Sequence, residues 1–147
     1  MYKFYILPLF LIYVLVTADP VTFQDCGSEY YLYEVDIEDC SSLPCALTIG
    51  GQHRINMGIF ANSDSEQLRQ EVFLILRSVY RKVDVTPDDP CNQLTCPISN
   101  NFGVSFSAIM TINETLVPLD GELYWRLYNQ DETMVVCMRT DVELQYG

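Results

Sequence analysis

The sequence predicts an all-β domain, a sandwich or a barrel, and three observations predict it. Apolar and polar residues alternate in several short runs, the period of strands with one buried face. Clusters of Pro, Asp, Asn and Ser separate those runs, and little between them asks for a helix. Six cysteines stand in a chain of 147 residues, an even count that suits the disulfide framework of a small secreted domain.

The first element is a leader. Met1-Tyr2-Lys3 supplies one positive charge, the run from Phe4 to Val16 is almost wholly apolar, and Val16-Thr17-Ala18 offers small residues for cleavage. That is the pattern of a secretory signal peptide over residues 1–18. The alternative, a membrane anchor, needs ~20 apolar residues, and this run has roughly a dozen with no basic flank after it. The domain then spans residues 19–147, enough chain for a real core. Without the leader it holds seven basic and 20 acidic residues, a formal charge of −13. Such a balance repels phosphate backbones and excludes nucleic acid as a partner; it also disfavours broad adhesion to anionic membranes.

Within the domain, Ile55, Met57 and Ile59 alternate with Arg54, Asn56 and Gly58. His53, the single histidine, falls on the apolar face near the end of that strand, as a packed or rim residue. Ala61 to Ser65 is a polar loop. Val72 to Leu76 is apolar throughout, a strand buried on both faces or a helical segment, which periodicity does not separate. Thr86-Pro-Asp-Asp-Pro90 is a turn cluster. Val104, Phe106, Ala108, Met110 and Ile112 then share one face, as do Leu119, Gly121, Leu123, Trp125 and Leu127. Asn129 to Glu132 reads as a hairpin turn with Met134–Met138 as the return strand. Asn113-Glu114-Thr115 is a glycosylation sequon, and alternation turns Asn113 outward.

The cysteines are Cys26, Cys40, Cys45, Cys91, Cys96 and Cys137. Two short gaps let Cys40 and Cys45, and Cys91 and Cys96, each close a small loop, leaving Cys26 and Cys137 to join the ends of the domain. A four-cysteine zinc site is the competing reading; an oxidising compartment argues against it, and no metal or cofactor is expected. Nothing in the chain suits catalysis. There is no Gly-x-Ser-x-Gly, no His-Glu-x-x-His and no phosphate-binding Gly loop, and a lone histidine leaves nucleophilic schemes little to use. Asp88-Asp89, Glu38-Asp39 and Asp131-Glu132 read as solvated acids.

Four stretches carry a resemblance: Val21-Thr-Phe-Gln-Asp-Cys-Gly-Ser28, Cys40-Ser-Ser-Leu-Pro-Cys45, Cys91 through Cys96-Pro97-Ile98, and Trp125-Arg-Leu127 followed by Cys137. By these the chain resembles the ML lipid-recognition family, in particular the branch that holds the soluble Niemann–Pick type C cholesterol carriers. The resemblance implies an immunoglobulin-like sandwich of two antiparallel sheets with a lipid tunnel between them. It also implies the pairs Cys26–Cys137, Cys40–Cys45 and Cys91–Cys96, and a binding role without enzymatic activity.

The resemblance further implies that Ile75, Val83, Ile112, Leu116 and Trp125 line the pocket. The apolar strand faces add Val35, Ile37, Ile55, Met57, Ile59, Val104, Phe106 and Leu123. The chain has Val83 and Leu116 where the family has aromatic residues near the mouth. It has Arg77-Ser-Val-Tyr-Arg-Lys82 where the cholesterol carrier has an apolar, proline-rich segment. Arg77, Arg81 and Lys82, with Arg69 nearby, are therefore candidates to meet a lipid headgroup at the mouth. The expected protein is a secreted, extracellular monomer, or a resident of the endosomal or lysosomal lumen, binding one sterol-like lipid. A carrier of fatty acids or other apolar signals is the first alternative. A recogniser of microbial lipid with a receptor partner is the second. Delivery calls for a membrane or a receptor as partner.

Overall fold

The computed structural model describes residues 23–147, so the leader read at residues 1–18 lies outside the described residues. The chain forms strands β1 (Gln24–Asp25), β2 (Tyr31–Ile37), β3 (Cys45–Thr48), β4 (Gln52–Phe60), β5 (Leu68–Leu76), β6 (Val79–Lys82), β7 (Asp84–Thr86), β8 (Gly103–Thr111), β9 (Asp120–Asn129) and β10 (Met134–Gln145). One sheet runs β1-β10-β9-β5-β6, with β3 added beside β10; the other runs β2-β4-β8-β7. The pairings are antiparallel except that of β3 with β10. The expected sandwich of two antiparallel sheets is therefore the observed fold, with one parallel exception.

The alternating runs form the sheet centres. In β4, His53, Ile55, Met57 and Ile59 are buried, and they pair with Met110, Ala108, Phe106 and Val104 of β8. In β9, Leu123, Trp125 and Leu127 are buried and face Leu74, Val72 and Gln70 of β5. The ambiguous run Val72–Leu76 is thus strand. It is apolar on both faces because Phe73 stacks outside against Tyr124, with ring centroids 5.0 Å apart, and against Tyr80 at 4.7 Å. The return strand after Asn129 continues to Gln145, well past Met138, because Val142 and Leu144 keep the alternation and pair with β3.

All six cysteines are oxidised in the pairs the resemblance implies, Cys26–Cys137, Cys40–Cys45 and Cys91–Cys96. No thiolate is left to hold zinc. The last pair closes a loop that begins with a one-turn 3₁₀ helix, Pro90–Asn92. Pro90 opens it, and the Asp89 side chain accepts from the Cys91 amide at 2.9 Å. The side between β5 and β8 is closed by the chain itself. It leaves the first sheet as β6, turns through buried Val83, whose amide donates to the Val72 carbonyl, and enters the second sheet as β7.

Candidate functional site

The inner faces of the two sheets meet in one continuous hydrophobic cluster. Of the residues expected to line the pocket, Val35, Ile37, Ile55, Met57, Ile59, Phe106, Ile112, Leu123 and Trp125 are buried in it, and Val104 and Leu116 pack at its margin. Phe106 of one sheet meets Trp125 of the other edge-on, ring centroids 6.1 Å apart. Ile75 requires correction. It pairs with Glu122 and Tyr80 and stands half-buried on the outer face, because the strand period gives the inner face to Val72, Leu74 and Leu76.

Two cavities open at the edges of this interior. The first, about 240 Å³, lies at one end of the sandwich and is lined by Leu76, Arg77, Val79, Arg81, Thr115, Leu116, Val117 and Leu119. Its wall is a tight hairpin: Leu76 pairs with Val79 across Arg77-Ser78, both at positive φ, as a two-residue turn between twisted strands requires. The second, about 260 Å³, lies on the side where the chain changes sheets and is lined by Gln70, Val72, Lys82, Val83, Asp84, Val85 and Asp88.

The expected headgroup cluster is therefore divided. Arg77 and Arg81 share the apolar end cavity, but Lys82, one residue further along β6, lines the side cavity with Val83. Leu116 and Val83, both expected at one mouth, separate in the same way. Arg69 lies at the far end of β5, its guanidinium on Glu132 at 2.5 Å and 4.4 Å from the Tyr128 ring centroid. Sequence reading missed Gln70, Leu76, Val79, Val117 and Leu119. For Gln70 a signal was present, since it is the one polar residue in the alternating series Leu68, Gln70, Val72, Leu74, Leu76.

His53 is buried near the mouth end, where its Nε2 accepts from the Thr48 amide at 2.9 Å and so links β4 to β3. Burial pushes its pKa below the ordinary imidazole value, against the raising effect of Glu38 and Asp39. The folded protein thus holds the ring neutral. As pH falls below about 6.5, the unfolded chain takes up the proton first and stability drops. Melting followed between neutral and mildly acidic pH should show a decline that is shallower in His53→Gln. Identical profiles would refute the coupling. Asn113 is exposed, and its Oδ1 accepts from the Thr115 amide at 2.8 Å and the Thr115 hydroxyl at 2.7 Å.

The molecule is thus a small disulfide-tied β-sandwich whose two sheets face each other through apolar side chains, with a largely apolar cavity at one end. Residues 20–144 match the family model described as the ML domain. The chain belongs to that family; it is a lipid-binding domain and not an enzyme. NPC intracellular cholesterol transporter 2 of Danio rerio is 26% identical over 129 residues, covering 86% of this chain and 87% of its own. Among solved structures, a Niemann-Pick type C2 protein from the Japanese carpenter ant superposes with a TM-score of 0.76 at 18% identity, over 84% of this chain and 99% of that one. Chicken MD-1 complexed with lipid IVa gives 0.53 at 15% identity, over 82% and 87%. The two structures share the fold.

Proposed function

We propose that the protein is a secreted monomeric carrier that takes one sterol-like lipid between its sheets and serves sterol transport or homeostasis. The observation that carries this reading is the end cavity, where Leu76, Val79, Leu116, Val117 and Leu119 form an apolar entrance and Leu76 itself belongs to the inner face. The cholesterol-transporter name of the Danio rerio relative supports the ligand class. A lipid burying about 400 Å² of apolar surface gains roughly 10 kcal/mol at ~25 cal/mol/Å², and ordering losses remove part of that. Submicromolar binding then needs few polar contacts. Entry requires the side chains at the end cavity to part. The leader sequence and the exposed sequon at Asn113 support secretion and glycosylation.

A second reading, a carrier of fatty acids, is favoured by one observation: Arg77 and Arg81 line the same apolar entrance. Native mass spectrometry of the secreted protein, with its lipids extracted and sterol and fatty acid run in competition, separates the two. The sterol reading expects one sterol per chain and sterol affinity within about twofold of wild type in Arg77→Ala and Arg81→Ala. A fatty acid that resists sterol competition, and loses about tenfold in affinity in the same variants, would replace it with the second reading. Neither lipid bound would overturn both.

A further inference from the structure

Gln70 is the polar residue on the inner face of β5, and its amide has one orientation. Its Nε2 donates to the carbonyl oxygens of Pro87 at 2.5 Å and Asp88 at 2.9 Å. A flipped amide would set oxygen against both carbonyls. Oε1 is therefore directed away from that loop, and it is buried with no hydrogen-bond partner among the described residues. A second such atom lies on the next strand. Trp125 is fully buried, and its indole Nε1–H has no acceptor among the described residues either. Val72 pairs with Trp125 and Gln70 with Leu127, so Gln70 and Trp125 are diagonal neighbours on one face, a relation within reach of long side chains.

Buried polar atoms in native proteins are nearly always paired, and here an acceptor and a donor, both neutral, lie unpaired on diagonally neighbouring residues of the layer read above as the lipid site. From Gln70 to Leu76 at the mouth is six residues of strand, about 20 Å at ~3.3 Å per residue, the span of one elongated lipid. The side cavity at Gln70 is lined by Asp84 and Asp88 against the single cation Lys82, which disfavours an anion there.

We infer that the lipid binds with a neutral hydroxyl at its inner end, donating to Gln70 Oε1 and accepting from Trp125 Nε1–H, while its apolar body runs toward the mouth. The ligand class is a long apolar alcohol, a sterol or a long-chain alcohol. A carboxylate cannot donate, and an ester or ether can only accept. The inference rests on the interior being the lipid site, as proposed above.

The test measures affinities of the intact protein for cholesterol, its methyl ether and the parent hydrocarbon, and for hexadecanol, its methyl ether and hexadecane. Wild type should prefer alcohol to ether and ether to hydrocarbon, each by about tenfold. Gln70→Leu should abolish the first preference and Trp125→Phe the second, each read as a ratio of affinities within one variant, with circular dichroism and thermal melting as the control for folding. Trp125 is the single tryptophan of the chain, so its indole N–H gives one resonance. That resonance should move downfield with alcohol or ether and stay in place with hydrocarbon. Binding confined to one series assigns the source as sterol or alkyl chain. Equal binding of alcohol and ether to wild type, or a preference that survives Gln70→Leu, would overturn the inward hydroxyl and leave the carrier reading standing. Failure of every probe to bind would overturn the carrier reading itself.

Discussion

Replacing the long-range disulfide, Cys26→Ala with Cys137→Ala, is expected to lower stability by about 4–5 kcal/mol, the largest loss of any change considered. The partners are 111 residues apart in sequence, whereas the other two pairs are each 5 apart. In the chain-entropy account the long closure restricts the unfolded state far more; each short loop contributes only ~2 kcal/mol. Local structure adds to the difference. β1 pairs with β10 over two residues, Gln24 with Arg139 and Asp25 with Met138. Beside it, the Cys26 amide donates to the Cys137 carbonyl at 3.0 Å, the Ser28 hydroxyl accepts from the Cys137 amide at 2.8 Å and donates to the Cys137 carbonyl at 3.3 Å, and the Tyr30 amide donates to the Val135 carbonyl at 2.9 Å. Without the covalent bond, so short a strand detaches and exposes one edge of β10. Denaturant unfolding of the three double variants without reductant should rank the Cys26–Cys137 variant lowest by ~2 kcal/mol or more. Equal losses in all three would show that the effect resides in native loop geometry.

Much of this architecture was legible because its central strands keep strict alternation. β4, β8 and β9 were readable from Ile55, Met57 and Ile59, from Val104 to Ile112, and from Leu119 to Leu127. What was hidden has physical causes. In β2 the buried residues are Leu32, Val35 and Ile37, spaced three and then two, because the register against β4 shifts between Leu32 and Glu34. A bulge of this kind erases the period that sequence reading depends on. The parallel partner of β10, Cys45–Thr48, is four residues long and nearly a hundred residues distant in sequence, so no local signal announces it. The site was legible at the level of faces and illegible at the level of neighbours. Alternation names the inner residues, but only the hairpin register separates Arg81, opposite inward Leu74, from Lys82, opposite outward Phe73. Ile75, placed in the pocket by the resemblance alone, had no local signal to correct it. In a run apolar on both faces, composition cannot say which face a residue joins.

Gly121→Val should be the most damaging single substitution near the mouth, and the reason is a backbone approach. Gly121 lies in the middle of its sheet, between Leu76 of β5 and Val142 of β10. A Cβ there would sit 2.5 Å from the Ile75 carbonyl oxygen and 2.6 Å from Leu76 Cδ2. A side-chain methyl can rotate away, but the carbonyl belongs to the strand ladder and moves only with β5. Overpacking of this kind costs about 1–3 kcal/mol, occasionally more, and the upper end is expected where backbone must shift. The displaced end of β5 leads directly into the hairpin that carries Val79 and Arg81, so lipid uptake should fall even at temperatures where the variant remains folded. Gly103→Val provides the control. Its Cβ would meet the Phe60 ring at 3.8 Å, an ordinary contact, and its effect should stay within ~0.5 kcal/mol. Paired measurements of unfolding and of lipid uptake rate would decide the matter. If Gly121→Val matches Gly103→Val in both, the sheet yields at this point and the entrance does not depend on the position of β5. If it is destabilised and slow to load, close packing of two strands at Gly121 sets the geometry through which the ligand passes.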